Sequence, residues 1–309
     1  MKLTCIGAVF VDCMGRPTTP HFDPKGRNIG RADFVHGGVG RNIAEDLQNA
    51  GAEVSFLSSV DDGPLGAAVL AHLRQTGMNV TGVAVGPGGM GVWLVVMDAA
   101  GDVAASVSQQ LDFSLMESIL RSRGEALIAE SDAVVLETDT TDAIFCESLD
   151  MSRVYGKRIY AATSNMEVLL RNRQRLADIH CFVCNEIEAG RLFNDNYSNL
   201  TNEELLEAIK PKAYGLGLAC LIVTTGSKGA VWLDFAKREF GQRTSFPAEV
   251  RDTSGAGDSF FAGVVFARER GYSAAAAVDI GSLFAARTIE HVGPARPDLG
   301  KFLLEDAGV

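Results

Sequence analysis

The sequence predicts an α/β fold: a doubly wound, mostly parallel sheet with helices on both faces. From about residue 115 onward, short apolar strands alternate with helical segments, an order typical of a parallel sheet covered on both sides. Polar residues also recur where apolar strands end, at Asp12, Glu137, Asn185 and Thr224. Since open α/β sheets bind ligands at the carboxyl ends of their strands, these residues indicate one ligand-binding edge.

Composition and charge narrow the class of protein. The chain has 309 residues, of which 47% are hydrophobic, as in globular proteins. Its net charge of −11 argues against a nucleic-acid surface, and no apolar run approaches the roughly 20 residues of a membrane span. Residues 1–11 resemble a short signal segment, but Asp12 ends it without a small-residue cleavage site. We therefore interpret this segment as a buried first strand and the protein as cytoplasmic, with neither nucleic acid nor a membrane as partner.

The six cysteines predict reduced thiols in a cytosolic core, because they are dispersed among apolar neighbours, at positions 5, 13, 146, 181, 184 and 220. Cys181 and Cys184 have a C-x-x-C spacing, but there is no second pair to complete a four-ligand zinc site. Residues three apart in a strand point to opposite faces. We therefore expect two separate buried thiols.

The first part of the chain begins with an apolar strand over 3–11 that ends at Asp12. The polar segment 16–35 lacks helical periodicity and predicts a flap or an exposed hairpin. Gly37-Gly38-Val39-Gly40-Arg41-Asn42 then opens a helix that stops at Gly51. Its glycines allow a ligand to approach the backbone, and Arg41 and Asn42 offer hydrogen-bond donors. A tight packing turn is the alternative interpretation.

The next part is rich in strands. A strand over 54–60 and a helix over 64–75 precede extended segments at 80–85, 92–97 and 103–108. Residues 86–91 match G-x-G-x-x-G, but a strand follows them where a dinucleotide-binding turn needs a helix. We interpret them as a hairpin loop. The strands at 80–108 and the segment 17–36 together predict a small separate sheet.

The remainder of the chain alternates strands with helices. Strands are expected at 133–136, 158–162, 179–184 and 219–224, and helices at 115–129, 141–150, 165–176, 202–215, 258–270 and 274–290. Thr224-Thr225-Gly226-Ser227-Lys228-Gly229 follows the last of these strands. Because no P-loop motif occurs in the chain, this turn is either a nucleotide-binding turn of another kind or an ordinary β-turn.

The stretch from Arg251 to Gly263 joins a turn of small residues to the start of a helix. Gly255, Ala256 and Gly257 leave their N–H groups free of side-chain obstruction, and the helix adds the positive end of its dipole. Such a turn binds an anion, for which phosphate is the obvious candidate. Asp258 at its edge would accept the proton of an attacking hydroxyl. A plain helix cap by Ser254 or Asp258 is the alternative.

Taken in order, these pieces resemble the ribokinase-like (pfkB) carbohydrate and nucleoside kinases. The matching pieces are residues 6–12, 37–42, Asn185 with Glu188, 224–229 and 252–260. The resemblance spans about residues 3–300 and implies one ribokinase-like domain over 1–309, with a β lid formed by about 13–36 and 80–110. It also implies ATP and Mg²⁺, a small-molecule sugar or nucleoside as acceptor, and a homodimer through the lid.

The resemblance assigns Asp258 as the catalytic base. The N–H groups of Gly255, Ala256 and Gly257 would stabilise the charge on the transferring phosphoryl group. The acceptor-binding residues would be Asp12, Gly38, Arg41, Asn42 and Glu137. Among these, a carboxylate such as that of Asp12 accepts from two vicinal hydroxyls at once, which suits a ribose diol.

The remaining matches concern ATP and cations. Glu188, together with Asn185, would organise Mg²⁺ and its waters, because a hard cation prefers oxygen ligands. Asp252 would help to hold a monovalent cation such as K⁺ beside the turn. The ATP-binding residues would be Asn185, Thr224, Gly226, Lys228 and Ser282.

The stretch 37–42 bears on the identity of the acceptor. Ribokinase-like members often carry lysine where this chain has Val39, and a small residue where it has Arg41. The stretch looks most like that of the pseudouridine kinases of the family, so we expect phosphorylation of the 5′-hydroxyl of pseudouridine. The alternatives are a kinase of ribose, fructose, a keto-deoxy sugar acid or adenosine. A more remote alternative is a non-catalytic sensor or assembly protein of the same fold.

Overall fold

The computed structural model describes residues 1–18, 23, 25–98 and 103–305. The strands of this part of the chain form a sheet of nine and a sheet of four. They are β1 (Lys2–Ile6), β2 (Phe10–Pro17), β3 (Gly30–Gly37), β4 (Glu53–Val60), β5 (Asn79–Val85), β6 (Gly91–Met97), β7 (Val103–Gln109), β8 (Ala133–Glu137), β9 (Arg158–Ala162), β10 (Cys181–Asn185), β11 (Cys220–Thr224), β12 (Ala230–Asp234) and β13 (Glu239–Arg243).

The helices alternate with the strands between β8 and β11, as the sequence predicts. They are α1 (Val39–Asn49), α2 (Pro64–Gln75), α3 (Ser114–Ile119), α4 (Glu125–Glu130), α5 (Asp142–Val154), α6 (Met166–Arg171), α7 (Glu186–Phe193), α8 (Asn202–Gly215), α9 (Ala256–Glu269), α10 (Ala274–Ile289) and α11 (Leu299–Glu305). A π-helical turn over Leu120–Gly124 joins α3 to α4. Among the described helices, none is both long and apolar enough to cross a membrane.

Seven neighbouring strands of the nine-stranded sheet are parallel, in the order β5, β4, β1, β8, β9, β10, β11. The antiparallel strands β12 and β13 extend the sheet beyond β11. The direction of winding reverses between β1 and β8, where Ile6 and Leu136 are register partners. Sheets of this kind bind ligands in the crevice at such a reversal. Gly7 and Glu137, the next residues along the chain, lie at that point.

Two hydrophobic cores cover the two faces of this sheet. Helices α1, α2, α9, α10 and α11 pack on one face, and α3 to α8 pack on the other. Successive residues of β10 alternate between the cores: Cys181 belongs to the first, and Cys184 belongs to the second. The expected helices on both faces are therefore confirmed, and the two thiols of the C-x-x-C spacing lie on opposite faces.

The four-stranded sheet, with strand order β3, β2, β6, β7, is called the lid below. β2 pairs antiparallel with β3 and parallel with β6, and β7 pairs antiparallel with β6. The lid joins the larger sheet through short connections: residues 7–9 lie between β1 and β2, and Gly38 alone lies between β3 and α1. A Cβ on Gly7 would come within 2.6 Å of the Cα of Gly40, so this crossing requires glycine at both positions.

The lid boundaries differ from the sequence-based expectation at two places. β1 ends at Ile6, and Asp12 lies inside β2 of the lid instead of at the end of the first strand. β5 belongs to the larger sheet, because it pairs with β4 and packs Val80 and Val83 against the core, so the second lid segment begins at Gly91. Residues 19–22, 24 and 99–102 of the expected lid lie outside the described residues.

One face of the lid carries a continuous apolar row. Phe34, Cys13, Leu94 and Val107 are successive register partners across the four strands. The side chains of Phe34, Leu94 and Val107 are 61%, 46% and 65% exposed. A contiguous exposed patch of large apolar side chains is typical of an interaction surface.

Candidate active site

The amino-terminal end of α9 is the centre of the site. Gly255 precedes the helix with a φ of 73°, and among the residues that the structure describes no side chain caps the first turn. Helices α5 to α8 and α10 each have a side-chain cap, whereas α1 to α4 also lack one. The alternative of a plain cap by Ser254 or Asp258 is therefore wrong. The N–H of Ala256 donates a long hydrogen bond of 3.4 Å to the carbonyl oxygen of Thr253, and the N–H of Gly257 and the positive end of the helix dipole stay available to an anion.

Glycine is found at positions 255 and 257 of this turn for different structural reasons. A Cβ on Gly255 would lie 1.9 Å from the carbonyl oxygen of Pro294, and its φ is in the left-handed region that favours glycine. A Cβ on Gly257 would meet no atom within 4 Å in the part of the chain that the structure describes. Gly255 is thus required by packing, whereas the space beside Gly257 is open to a ligand.

Three cavities meet at this turn. The large cavity, of about 1120 Å³, lies between the lid and the turn, and its lining includes Asp12, Gly38, Asn42, Glu137 and Gly255. The groove, of about 570 Å³, lies on the other side of the turn, and its lining includes Thr224, Gly226, Ala256, Gly257 and Ser282. The small cavity, of about 200 Å³, contains Asn185, Glu188, Gly257 and Asp258. The fold therefore brings most of the residues predicted from the sequence to one place.

Asp258 is held by a neighbouring helix. The Nδ2 of Asn42 on α1 donates a hydrogen bond of 2.6 Å to its Oδ2. Burial raises the pKa of Asp258 to about 6, against the opposing effects of this hydrogen bond and of the Arg41 guanidinium. A carboxyl group with this pKa is ionised at neutral pH and still takes up a proton readily, as a general base requires.

Asn42 has one polar atom left to satisfy. Its side chain is buried and lines the large cavity, and its Oδ1 has no hydrogen-bond partner among the described residues. Buried polar atoms are nearly always hydrogen-bonded in native proteins, so an unpaired one at a cavity wall indicates a ligand group. A hydroxyl group in the large cavity would supply the missing donor.

Arg41 does not line the large cavity, contrary to its expected role as an acceptor-binding residue. Its guanidinium is buried, donates to Glu45 Oε2 at 2.5 Å and also hydrogen-bonds the carbonyl oxygen of His36 in the lid. Position i+4 on the same helix brings Glu45 within reach, and this ion pair holds the Arg41 side chain away from the lining of the large cavity. Arg41 acts on the site through charge, since it lowers the pKa of both Asp12 and Asp258 against the effect of burial.

Asp12 projects into the large cavity from the lid. Burial raises its pKa, with the Arg41 charge opposing that shift. The adjacent strand leaves room for the carboxylate because residue 37 is glycine: a Cβ there would lie 2.6 Å from Asp12 Oδ2. Gly38, with a φ of 96°, follows and begins α1. The glycine pair thus allows both the carboxylate and the helix start to approach the cavity.

Glu137 lies at the floor of the large cavity, where β8 ends. Its carboxylate accepts hydrogen bonds from the backbone N–H of Ala8 at 3.2 Å, from the backbone N–H of Asp139 and from the hydroxyl of Ser164. Burial is the largest effect and raises the pKa of Glu137 to about 7, although these hydrogen bonds oppose it. Glu137 therefore changes charge near neutral pH.

Sequence reasoning missed several residues that line the large cavity: Arg16, Arg31, Asp33, Trp93 and Asp139. Asp139 follows the strand-end residue Glu137 by two positions, so strand-end polarity would have identified it. The others lie on lid strands in segments without a readable pattern, and only the pairing register of the lid places them on one face.

The groove has the features of a site for a planar ring next to phosphates. Phe246, Val250 and Ile289 supply apolar walls, and Ser282 and Thr224 supply hydroxyl groups. Lys228 does not line the groove, contrary to its expected role. Its Nζ lies 3.0 Å from Glu186 Oε2 and 3.3 Å from the carbonyl oxygen of Leu200. The nearby acidic side chain therefore holds this ammonium group on the outside of the turn.

Asn185 and Glu188 form a capping box at the start of α7. Asn185 Oδ1 accepts from the N–H groups of residues 187 and 188, and Glu188 Oε2 accepts from the N–H of Asn185 at 2.7 Å. Burial raises the pKa of Glu188, opposed by that hydrogen bond. No group of three or more metal-ligating side chains occurs in the described residues. One carboxylate and one amide oxygen in a small cavity fit a hydrated Mg²⁺ whose other ligands come from phosphate and water.

Asp252 lies at the opposite end of the turn. Its carboxylate accepts from the backbone N–H groups of Ser254 at 2.9 Å and Gly293 at 3.1 Å. Burial opposes ionisation, but these hydrogen bonds outweigh it and lower the pKa of Asp252. The carboxylate is therefore ionised over the whole neutral range. A monovalent cation at this residue stays a prediction.

Comparison with known proteins agrees with this geometry. The profile of the pfkB family carbohydrate kinases matches residues 1–299. Guanosine-inosine kinase of Exiguobacterium acetylicum is 33% identical over 290 residues, which cover 93% of this chain and 94% of the relative. Pseudouridine kinase of Escherichia coli is 25% identical over 239 residues, covering 77% of this chain and 74% of the relative.

Solved structures confirm the ribokinase-like fold. The structure of Arabidopsis thaliana ribokinase complexed with ribose and ATP superimposes with a TM-score of 0.81 at 19% identity, covering 97% of this chain and 98% of that chain. Ribokinase from Giardia lamblia superimposes with a TM-score of 0.79 at 18% identity, covering 97% and 98% of the two chains.

We predict that Asn42→Ala raises the pKa of Asp258 above about 6, because the substitution removes the hydrogen bond that stabilises the ionised carboxylate. The measurement is a pH titration of the aspartate carboxyl carbons by NMR. Asn165→Ala is the matched control, since Asn165 donates to Asp139 and not to Asp258. An unchanged pKa of Asp258 in Asn42→Ala would contradict the assigned hydrogen bond.

Proposed function

The chain belongs to the pfkB family of carbohydrate kinases, and on that premise we propose that it transfers the γ-phosphoryl group of ATP to the 5′-hydroxyl of a nucleoside. The single observation that carries this proposal is the uncapped amino-terminal end of α9, which lies between the large cavity and the groove with Asp258 beside it. ATP would occupy the groove, and the nucleoside would occupy the large cavity.

The proposed reaction uses these residues directly. The 5′-hydroxyl gives its proton to Asp258, its oxygen forms a bond to the γ-phosphorus, and the bond from that phosphorus to the bridging oxygen of ADP breaks. Negative charge on the transferring phosphoryl group lies against the N–H groups of Gly255, Ala256 and Gly257. Stabilisation of developing charge by preorganised donors is usually the largest contribution to catalysis of this type.

A second group of residues would serve Mg²⁺ and ATP. Asn185 and Glu188 would hold water molecules of Mg²⁺ at the small cavity, and Thr224, Gly226 and Ser282 would contact the nucleotide. Mg²⁺, when bound, neutralises charge on the phosphate oxygens. Lys228 contributes no side-chain contact in this proposal, because Glu186 holds its ammonium group.

The acceptor class follows from the relatives and the large cavity. The relative at 33% identity is a guanosine-inosine kinase, and the one at 25% is a pseudouridine kinase. We therefore propose a purine nucleoside such as inosine or guanosine as the acceptor, with pseudouridine, the expectation from residues 37–42, as the second candidate. Asp12 would accept from the ribose diol, and Asn42 Oδ1 from a further hydroxyl. The presence of Asp258 and an open Gly257 argues against a non-catalytic sensor.

Two further parts of the proposal concern assembly and location. We propose a homodimer through the lid face that carries the apolar row, because the exposed Leu94 and Val107, with Phe34 at the edge of the large cavity, would be covered by the same row of a second copy. We propose a cytoplasmic location, which the six unpaired cysteines support.

An acceptor panel tests the function. With ATP and Mg²⁺, we expect inosine, guanosine or pseudouridine to be phosphorylated at the 5′ position with kcat/KM at least about 10-fold above ribose, fructose or a keto-deoxy sugar acid. The reason is the additional cavity volume beyond the ribose site. Product identification by mass spectrometry and ³¹P NMR provides the measurement. Good turnover of a free sugar with none of a nucleoside would overturn the proposal.

We predict that Asp258→Asn lowers kcat by about 10²- to 10⁴-fold with little change in ATP affinity, because the amide cannot accept the proton. Asp150→Asn, on an exposed ion pair far along α5, is the matched control and should keep full turnover.

In the unmodified enzyme, kcat/KM should rise with pH through about 6 and then level off, since the base is protonated below its pKa. The same rise of kcat/KM with pH should remain in Glu137→Gln. If it disappeared in that variant, the rise would have to be assigned to Glu137 instead of Asp258.

We predict that Leu94→Lys converts the dimer to a monomer, because it introduces a charge at the centre of the apolar row on the lid. Sedimentation velocity measures the outcome. Tyr214→Lys is the control, since Tyr214 is 74% exposed on α8 and lies outside the lid. A monomeric unmodified protein, or a dimer that persists in Leu94→Lys, would exclude this interface.

A further inference from the structure

The inner face of the lid carries a charged triad whose arrangement needs an explanation. Arg16 on β2 and Arg31 on β3 are direct register partners, and like charges in that position repel. Asp33 lies between them: its Oδ2 is 3.1 Å from Arg16 Nη1, and its Oδ1 is 3.2 Å from Arg31 Nη2. Exposed ion pairs contribute little to stability, so folding alone gives little reason for two opposed arginines.

The triad faces the large cavity. Arg16, Arg31 and Asp33 all line it, together with Met14 and Trp93. The strand register fixes the order of side chains on this face. Met14 of β2 pairs with Asp33 of β3. Asp12, two residues earlier on β2, pairs with Trp93 of β6. Two residues advance a strand by about 7 Å. Asp33 therefore lies one row beyond the carboxylate that would hold the ribose diol, and Arg16 and Arg31 lie one row beyond Asp33.

A bound nucleoside would place its base near this triad. The ribose would be held at two ends, with its diol at Asp12 and its 5′-hydroxyl at Asp258. Met14 and Trp93 supply apolar surfaces against which a flat ring packs. The base edge then extends along the lid toward Asp33.

We infer that Asp33, with Arg16 and Arg31, reads the base and selects one with a lactam edge, an N–H beside a C=O. An ionised carboxylate only accepts hydrogen bonds, and a guanidinium only donates them. A lactam satisfies both, because its N–H donates to Asp33 and its C=O accepts from an adjacent arginine. This inference rests on the proposed nucleoside kinase function and names the acceptor class more closely.

The same arrangement rejects the amidine edge of adenine or cytosine. In the same pose, a ring nitrogen lone pair would face the carboxylate of Asp33, and an amino group would face a guanidinium. Both contacts are repulsive, and a ribose fixed at two ends prevents the base from sliding along the triad to avoid them. Hypoxanthine, guanine and pseudouracil, the bases of the acceptors proposed above, all carry a lactam edge, whereas adenine does not.

The test combines a substitution in the triad with a methyl group on the base. Inosine and 1-methylinosine differ at the N–H that would donate to Asp33, and pseudouridine with 3-methylpseudouridine forms a second pair. We expect the unmodified enzyme to prefer inosine over 1-methylinosine and adenosine by about 10- to 100-fold in kcat/KM, mainly through KM. Asp33→Asn should lose about the same factor on inosine and little on 1-methylinosine, as in a double-mutant cycle.

Two further variants keep the outcome interpretable. Arg31→Gln should weaken inosine binding in the same direction without removing the carboxylate. Arg121→Gln, which breaks an exposed ion pair with Glu117 and Glu147 outside the cavity, should leave every acceptor unchanged. Equal losses on inosine and 1-methylinosine in Asp33→Asn would show a merely structural role and overturn the inference. Turnover of free sugars with no nucleoside turnover would instead overturn the proposed function.

Discussion

The hydrogen bond from Asn42 to Asp258 joins the two helices on which the site depends. Helix α1 starts one residue after the lid, and α9 starts at the uncapped turn, so this contact links the part that would hold the acceptor to the part that would hold phosphate. A buried cluster supports it, in which Asp46 lies one turn beyond Asn42 on α1 and Ser259 directly follows Asp258 on α9. The Ser259 hydroxyl donates to Asp46 and lies 2.8 Å from Thr288 Oγ1. Burial raises the pKa of Asp46 well above its usual range, and the hydrogen bond from Ser259 opposes that shift.

Burial also explains how charge is distributed around the large cavity. Desolvation raises the pKa of three carboxyl groups there, those of Asp12, Glu137 and Asp139. This wall of carboxyl groups suits a neutral ligand rich in hydroxyls. The donors of the α9 turn lie on the other side of the wall and attract phosphate. The cavity and the groove are thus suited to opposite kinds of ligand, and the turn lies where the two must meet.

Much of this arrangement is readable from the sequence, because it depends on local pattern. Alternating strands and helices give the sheet, and small residues before Asp258 give the turn. The sequence-based predictions that were wrong or incomplete concern features that depend on contacts between distant parts of the chain. Arg41 and Lys228 are oriented away from the cavities because acidic neighbours, Glu45 and Glu186, form ion pairs with them. Cross-strand register, which a single sequence does not reveal, places Asp12 in the lid. It also brings Arg16, Arg31 and Asp33 together in the triad.

The short connections of the lid have a mechanical consequence. The lid is joined to the larger sheet by residues 7–9 at one strand and by Gly38 alone at the next, and a Cβ on Gly38 would lie 2.7 Å from the carbonyl oxygen of Ala8. The two connections therefore lie side by side where the lid meets the larger sheet, and residues 86–90 and 110–113 form two further connections. Asp12 lies three residues beyond Val9, close to this crossing. Tight packing at the crossing therefore fixes Asp12 relative to the start of α1, whereas the outer end of the lid at Arg16 and Arg31 lies farther from that anchor.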